Sequence, residues 1–231
     1  MNRDPYPVRL DGRLDPATSR WLWLVKWLLV LPHAVVLAWL WLAVWLLTVV
    51  AGLSILVIGR YPRPIFDFNV GVMRWTWRVG FYSISAFGTD RYPPFSLDPD
   101  PTYPVDLSVD YPQRLSRGRV LVKWWLLALP QYAVVAILAG GWHIVGGAGL
   151  IGLLVLVAAV TLGVTGRYPE QVFDLVMGFN RWCYRVMAYA ALMRDEYPPF
   201  RLDVGGTDPG GRPAPVESPT AASPAGAGTP R

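Results

Sequence analysis

Charge is missing from two long stretches of this 231-residue chain. No Asp, Glu, Lys or Arg occurs from Trp27 to Gly59 or from Trp124 to Gly166, and a single bilayer crossing takes about 20 apolar residues. Both runs are therefore expected to enter a membrane, in keeping with the positive mean hydropathy. Cysteine is almost absent. Cys183 stands alone, which excludes an intrachain disulfide and a cysteine-based metal site. The two histidines, His33 and His143, have no Cys, Asp or Glu nearby at metal-ligand spacing. Glycine-rich phosphate loops, GxSxG elbows and HExxH helices are missing too, so no cofactor, metal or catalytic residue is expected. Neither run carries the mid-membrane charge that coupled transporters usually show. The first twenty residues are polar and lack a short apolar core, so insertion is expected to use the runs themselves.

What the chain does contain, it contains twice. Residues 59–79 (GRYPRPIFDFNVGVMRWTWRV) and 166–186 (GRYPEQVFDLVMGFNRWCYRV) match, each directly after an uncharged run. The repetition extends outward, from Tyr6-Pro7-Val8 to Leu97-Asp98 in one copy and from Tyr103-Pro104-Val105 to Leu202-Asp203 in the other. Both include a Lys-Trp pair, a Leu-Pro pair, GRYP and a closing YPPF.

The 21 basic residues all lie outside the runs: five up to Lys26, nine from Arg60 to Lys123 and seven from Arg167 onward. Basic loops tend to stay cytoplasmic, which favours folding each run as a helical hairpin. Four crossings are expected, near 20–39, 41–58, 119–139 and 146–165, with both termini cytoplasmic in a bacterial plasma membrane. Gly140, Gly141, Gly146 and Gly147 supply the second turn, and Trp39 and Trp41 mark the first. The competing arrangement has one crossing per copy, with 20–31 as an interfacial helix and 34–58 spanning alone.

The fold class expected is an all-α integral membrane protein. A first repeat (1–98) and a second (103–203) each comprise a transmembrane hairpin followed by an amphipathic interfacial helix, near 65–87 and 172–193. A Pro- and Asp-rich linker, expected to be an extended surface connection, occupies 99–118 and overlaps the start of the second repeat, and 204–231 is expected to be a disordered Pro/Gly/Ala-rich tail.

The order of YP opening, Lys-Trp, Leu-Pro, apolar run, GRYP, FD, G-x-x-RW-x-x-RV and YPPF resembles the bacterial membrane-protein family known as domain of unknown function 4389, present twice over about 6–98 and 103–203. The resemblance implies an actinobacterial-type membrane protein and brings no substrate, cofactor or catalytic residue. Copy two departs at Gln131, where copy one has His33, and at Leu175-Val176, where copy one has Phe68-Asn69.

Chemistry concentrates between GRYP and YPPF. Asp67, Gly71, Arg74 and Arg78 fall on one helical stripe, repeated as Asp174, Gly178, Arg181 and Arg185. Arginines at a cytoplasmic interface serve membrane anchoring. The sharper expectation is that the two stripes face each other and bind an anionic lipid headgroup or small anion through bidentate guanidinium contacts. Asp90 and Asp195 read as solvated loop acids, Lys26 and Lys123 as snorkelling to headgroups, and Pro32 and Pro130 as helix kinks.

The function expected is a non-enzymatic membrane scaffold or accessory subunit that contacts the lipid bilayer, anionic lipids included, or a partner membrane protein or second copy. A small-molecule or lipid transporter with its path at the repeat interface is the alternative. The net charge of +5 comes from arginines flanking the runs, which gives no support to nucleic-acid binding.

Overall fold

The computed structural model describes residues 6–16, 18–140 and 149–209. In chain order the elements are β1 (Val8–Gly12), α1 (Trp23–Leu29), α2 (Leu31–Ile58), α3 (Arg63–Tyr82), β2 (Val105–Val109) and α4 (Arg117–Val122). A π-helical turn (Lys123–Leu127), α5 (Leu129–Ala139), α6 (Leu150–Thr165) and α7 (Glu170–Ala190) follow. The protein is thus mostly helical, with one long apolar helix, two shorter ones and a small two-stranded sheet.

The sheet corrects the expectation of an all-α chain and of an extended linker over 99–118. Val8, Leu10 and Gly12 alternate with more exposed residues, as do Val105 and Leu107, the period-2 pattern of a half-buried strand. β1 and β2 pair antiparallel with Leu10 opposite Leu107. These two leucines occupy the same place in the two repeats, so the ladder is centred on a pseudo-two-fold axis.

The apolar runs do not form the expected hairpins. α2 is one helix of 28 residues, continuous through Trp39–Trp41, because no glycine, proline or polar residue interrupts it there. Pro32 sits in its first turn, where a missing N–H costs nothing, and Pro130 does the same for α5, so neither acts as an internal kink. The arrangement matches the competing expectation to this extent: 34–58 lies in one helix, preceded by a short separate helix.

In the second repeat α5 and α6 have 11 and 16 residues and lie end to end along α7. Gln131 of α5 accepts a hydrogen bond from Trp182 Nε1 at 2.7 Å. Trp182 is about 18 Å along α7 from Glu170 at 1.5 Å per residue, and α6 joins α7 through the short 166–169 connection. A hairpin would instead bring the start of α5 back to the start of α7. The buried positions agree: Val44, Ala51, Gly52 and Ile55 of α2 correspond to Ile151, Ala158, Ala159 and Leu162 of α6. Between Leu-Pro and GRYP copy two carries nine residues more than copy one, set between α5 and α6; the turn expected at 140–147 falls largely on 141–148, outside the described residues.

The helices after GRYP are the core, not interfacial appendages. Trp77, Phe81, Arg78, Val176, Met177 and Arg181 are fully buried. α3 packs on α2 and on β2, and α7 on α5, α6 and β1. Three layers result: the sheet, then α3 with α7, then α2 with α5 and α6. Within 204–231, residues 204–208 are also packed rather than a free tail, since Gly206 accepts a hydrogen bond from Gly12 N–H at 2.9 Å and Asp208 is buried.

Deleting 140–148 would join α5 to α6 in the helical phase of α2. The expected outcome is a folded chain with a melting temperature in detergent close to that of the parent; loss of the cooperative transition would contradict the end-to-end arrangement.

Candidate functional site

The stripe arginines are brought together with backbone of the other repeat. Arg74 Nε donates to Leu107 O at 3.1 Å and its Nη1 to Leu97 O at 3.0 Å. Arg181 Nε and Nη2 donate to Leu10 O at 3.0 and 2.9 Å, and its Nη1 to Asp203 O. The strand contacts are the same under the pseudo-two-fold: each arginine on a helix of one repeat holds the central strand residue that opens the other, while the second contact, to the chain after YPPF, is one residue further along in copy two. Gly71 and Gly178 make this possible. A Cβ at Gly71 would meet Leu97 Cβ at 2.9 Å, and one at Gly178 would meet Leu202 Cδ1 at 3.1 Å. Only glycine lets the chain after YPPF cross the helix closely enough to present its carbonyls.

Arg78 donates to Ser96 O at 3.2 Å and to Asp98 O, while its Nε is buried without a partner. Arg185 is anchored by Asp203 at 2.6 Å and Asp208 at 3.1 Å, and lies over the Tyr6 ring. Burial pulls the Arg78 and Arg181 guanidinium groups below their ordinary value. Burial alone would raise Asp203, but the hydrogen bond and charge of Arg185, with Arg201, hold it below the usual carboxylate range. The acidic members of the stripes stand apart. Asp67 pairs with Arg63 at 3.2 Å on the surface, and Asp174 borders a cleft of about 430 Å³ with Arg167 and Glu170. A second cleft of about 290 Å³ lies between Asp11, Asp100 and Asp106, and none of the four stripe arginines lines either one.

A second duplicated constellation involves the lysines. Lys26 is buried and pairs with Asp90 at 2.8 Å, with Tyr82 beneath its ammonium group. Lys123 pairs with Asp195 at 3.3 Å over Tyr189. Burial pushes Lys123 down to about 8, although Asp195 opposes the shift. Snorkelling lysines and solvated loop acids are thereby replaced by two buried ion pairs, because the loop leading to YPPF folds back over α1 and the π-helical turn. The signal in the sequence was the recurrence of both members in both repeats.

The GRYP and opening YP tyrosines bridge the repeats as well. Tyr61 and Tyr168 hydroxyls donate to Ala191 O at 3.3 Å and Ala86 O at 2.7 Å. Tyr6 and Tyr103 donate to Glu196 O and Arg91 O, both at 3.0 Å. His33 Nδ1 accepts from Trp75 Nε1 at 3.1 Å, the task Gln131 performs for Trp182, so the substitution between copies preserves an acceptor. Cys183 is half-buried, and desolvation of its thiol pushes it up to about 12. Among the described residues no group of three or more His, Cys, Asp or Glu is placed to hold a metal.

The fold and this site define a duplicated helical protein whose repeats exchange strands through arginine-to-carbonyl clasps. The family described as Domain of unknown function (DUF4389) matches residues 20–96 and 120–201; the chain belongs to it, with the match split into two segments. No curated protein and no solved structure matches the chain.

Replacing Arg181 by Gln takes the guanidinium donors from the buried Leu10 carbonyl and leaves Arg185 to balance Asp208, and is expected to lower stability by about 3 to 5 kcal/mol. Arg9→Gln, at the partly exposed pair with Asp110, is expected to cost less than about 1 kcal/mol. Thermal unfolding in detergent compares them, and equal losses would remove the clasp from the centre of the fold.

Proposed function

We propose that this protein is a membrane-embedded, non-enzymatic scaffold or accessory subunit whose outer helical layer contacts lipid. One observation carries the reading. α2 leaves Trp39, Trp45, Leu46, Val49, Leu53 and Val57 uncovered, and α6 does the same with Leu153, Leu156, Val157, Val160 and Val164. A soluble monomer rarely exposes a contiguous apolar patch beyond a few hundred Å². Among the described residues α2 is the helix long and apolar enough to cross a membrane by length and composition.

The arginines support a scaffold more than a ligand path. Arg74 and Arg181 direct their donors to carbonyls inside the protein, the other repeat's strand among them, and so serve as fastening between repeats. What is left for partners is the apolar layer, the exposed arginines around it and the polar strand face.

The reading predicts that the full chain, expressed in a bacterial host, stays in the membrane pellet after alkaline carbonate washing and needs detergent for release. Recovery in the soluble fraction, as a monomer or small oligomer, would overturn it.

A further inference from the structure

We infer that α2 and the α5–α6 pair lie flat in one leaflet, with the pseudo-two-fold axis along the membrane normal, instead of crossing the bilayer. The inference rests on the membrane reading above and gives it an orientation.

The orientation follows from the layers. In an antiparallel ladder centred on the pair Leu10 and Leu107, the local two-fold is perpendicular to the sheet. The same axis passes between Trp77 and Tyr184, equivalent residues whose rings meet at 5.5 Å. α3 runs alongside β2: Phe66 meets Tyr111, Arg74 reaches Leu107, and Phe81 abuts Gly12, the partner of Val105. α2 runs antiparallel to α3, with Thr48 at Asn69 and Trp41 at Thr76. Both long helical rods are therefore parallel to the sheet, and both ends of each lie at the same depth.

Charge then separates along the axis. If α2 stood upright, the layers beside it would be carried into the hydrocarbon, with Arg74–Asp106 and Arg9–Asp110 level with its middle. Asp106 and Asp110 are more than half exposed, and lipid would leave them unsolvated. With α2 flat, these groups sit on the face farthest from the lipid. One helical layer is about 10–12 Å thick, which fits within half of a hydrocarbon core of about 30 Å.

The rim matches headgroups. Arg20 and Arg167 are exposed at one end of the layer, where Arg20 lies against Gly166. Arg60, Arg117 and Arg119 are exposed at the other, where Arg117 lies against Gly59. Five guanidinium groups thus flank an uncharged apolar face, placed to meet lipid phosphates on one membrane surface.

Single cysteines decide the orientation in the full chain with Cys183→Ser. Arg63→Cys and Arg91→Cys mark opposite ends of α2, and Glu170→Cys and Glu196→Cys mark the equivalent places in the second repeat. Each variant is exposed to a membrane-impermeant maleimide in intact cells and again after permeabilisation, with carbonate-washed membranes recovered from the same cells. The expected result is that both members of a pair label together, in intact cells or only after permeabilisation. A pair that splits between the two conditions, in a chain that remains in the pellet, overturns the flat orientation and leaves the membrane reading standing. A chain absent from the pellet overturns that reading and this inference with it. The second pair keeps the test decisive where a variant of the first fails to accumulate.

Discussion

A guanidinium group buried among backbone carbonyls is the contact on which the rest of this structure depends. Arg181 is fully buried, holds Leu10 O through two of its nitrogens and pairs with Asp208 at 3.1 Å. Removing a cation from water is costly unless every donor finds a partner. The fold supplies those partners from the opposite repeat's strand and from the segment that follows YPPF. Because Arg74 does the same in the other direction, neither repeat completes its interior alone. β1, at the start of the first repeat, lies on the last helix of the second.

This interlock explains why the outer layer can be uncharged. The polar groups that hold the molecule together are gathered around the sheet and the α3–α7 layer. There carbonyls from β1, β2 and the chain after YPPF satisfy arginines, and Asp90 and Asp195 satisfy Lys26 and Lys123. α2, α5 and α6 need only one face to pack inward. Their remaining surface is set by what surrounds the protein. The nine-residue excess of copy two falls at the junction of α5 and α6, where it leaves the buried face of α6 in register with that of α2.

Much of this was legible in the sequence. The duplication, the helices that follow GRYP and the stripe of Gly71, Arg74 and Arg78 all follow from residue order and helical spacing, and α3 and α7 occupy nearly the expected positions. The strands were hidden because each is five residues long in a Pro- and Asp-rich setting that resembles linker, and because their pairing joins residues about a hundred positions apart. The hairpins were expected from charge distribution, which bears on which side the flanking segments lie and does not break a helix; α2 has no turn residue near Trp39–Trp41 and stays continuous. The burial of Lys26 and Lys123 depended on Asp90 and Asp195 folding back over them, a tertiary contact with no local periodic signature. Helical spacing puts Arg74 with Arg78, and Arg181 with Arg185, on one stripe, but nothing in residue order points to their partners, because backbone carbonyls carry no residue-type signal.

The exchange of strands between repeats is tested most directly by a cross-link at Arg9 and Ser108, which are opposed in the ladder. Directly opposed residues in an antiparallel pair have Cβ atoms about 4.5–5.5 Å apart, close enough for a disulfide after a small adjustment. The double variant Arg9→Cys, Ser108→Cys in a Cys183→Ser background should form an intrachain disulfide on mild oxidation, giving a faster-migrating monomer on non-reducing gels and a higher melting temperature. Free thiols after oxidation, or disulfide-linked dimers in their place, would contradict the pairing of β1 with β2 in one chain.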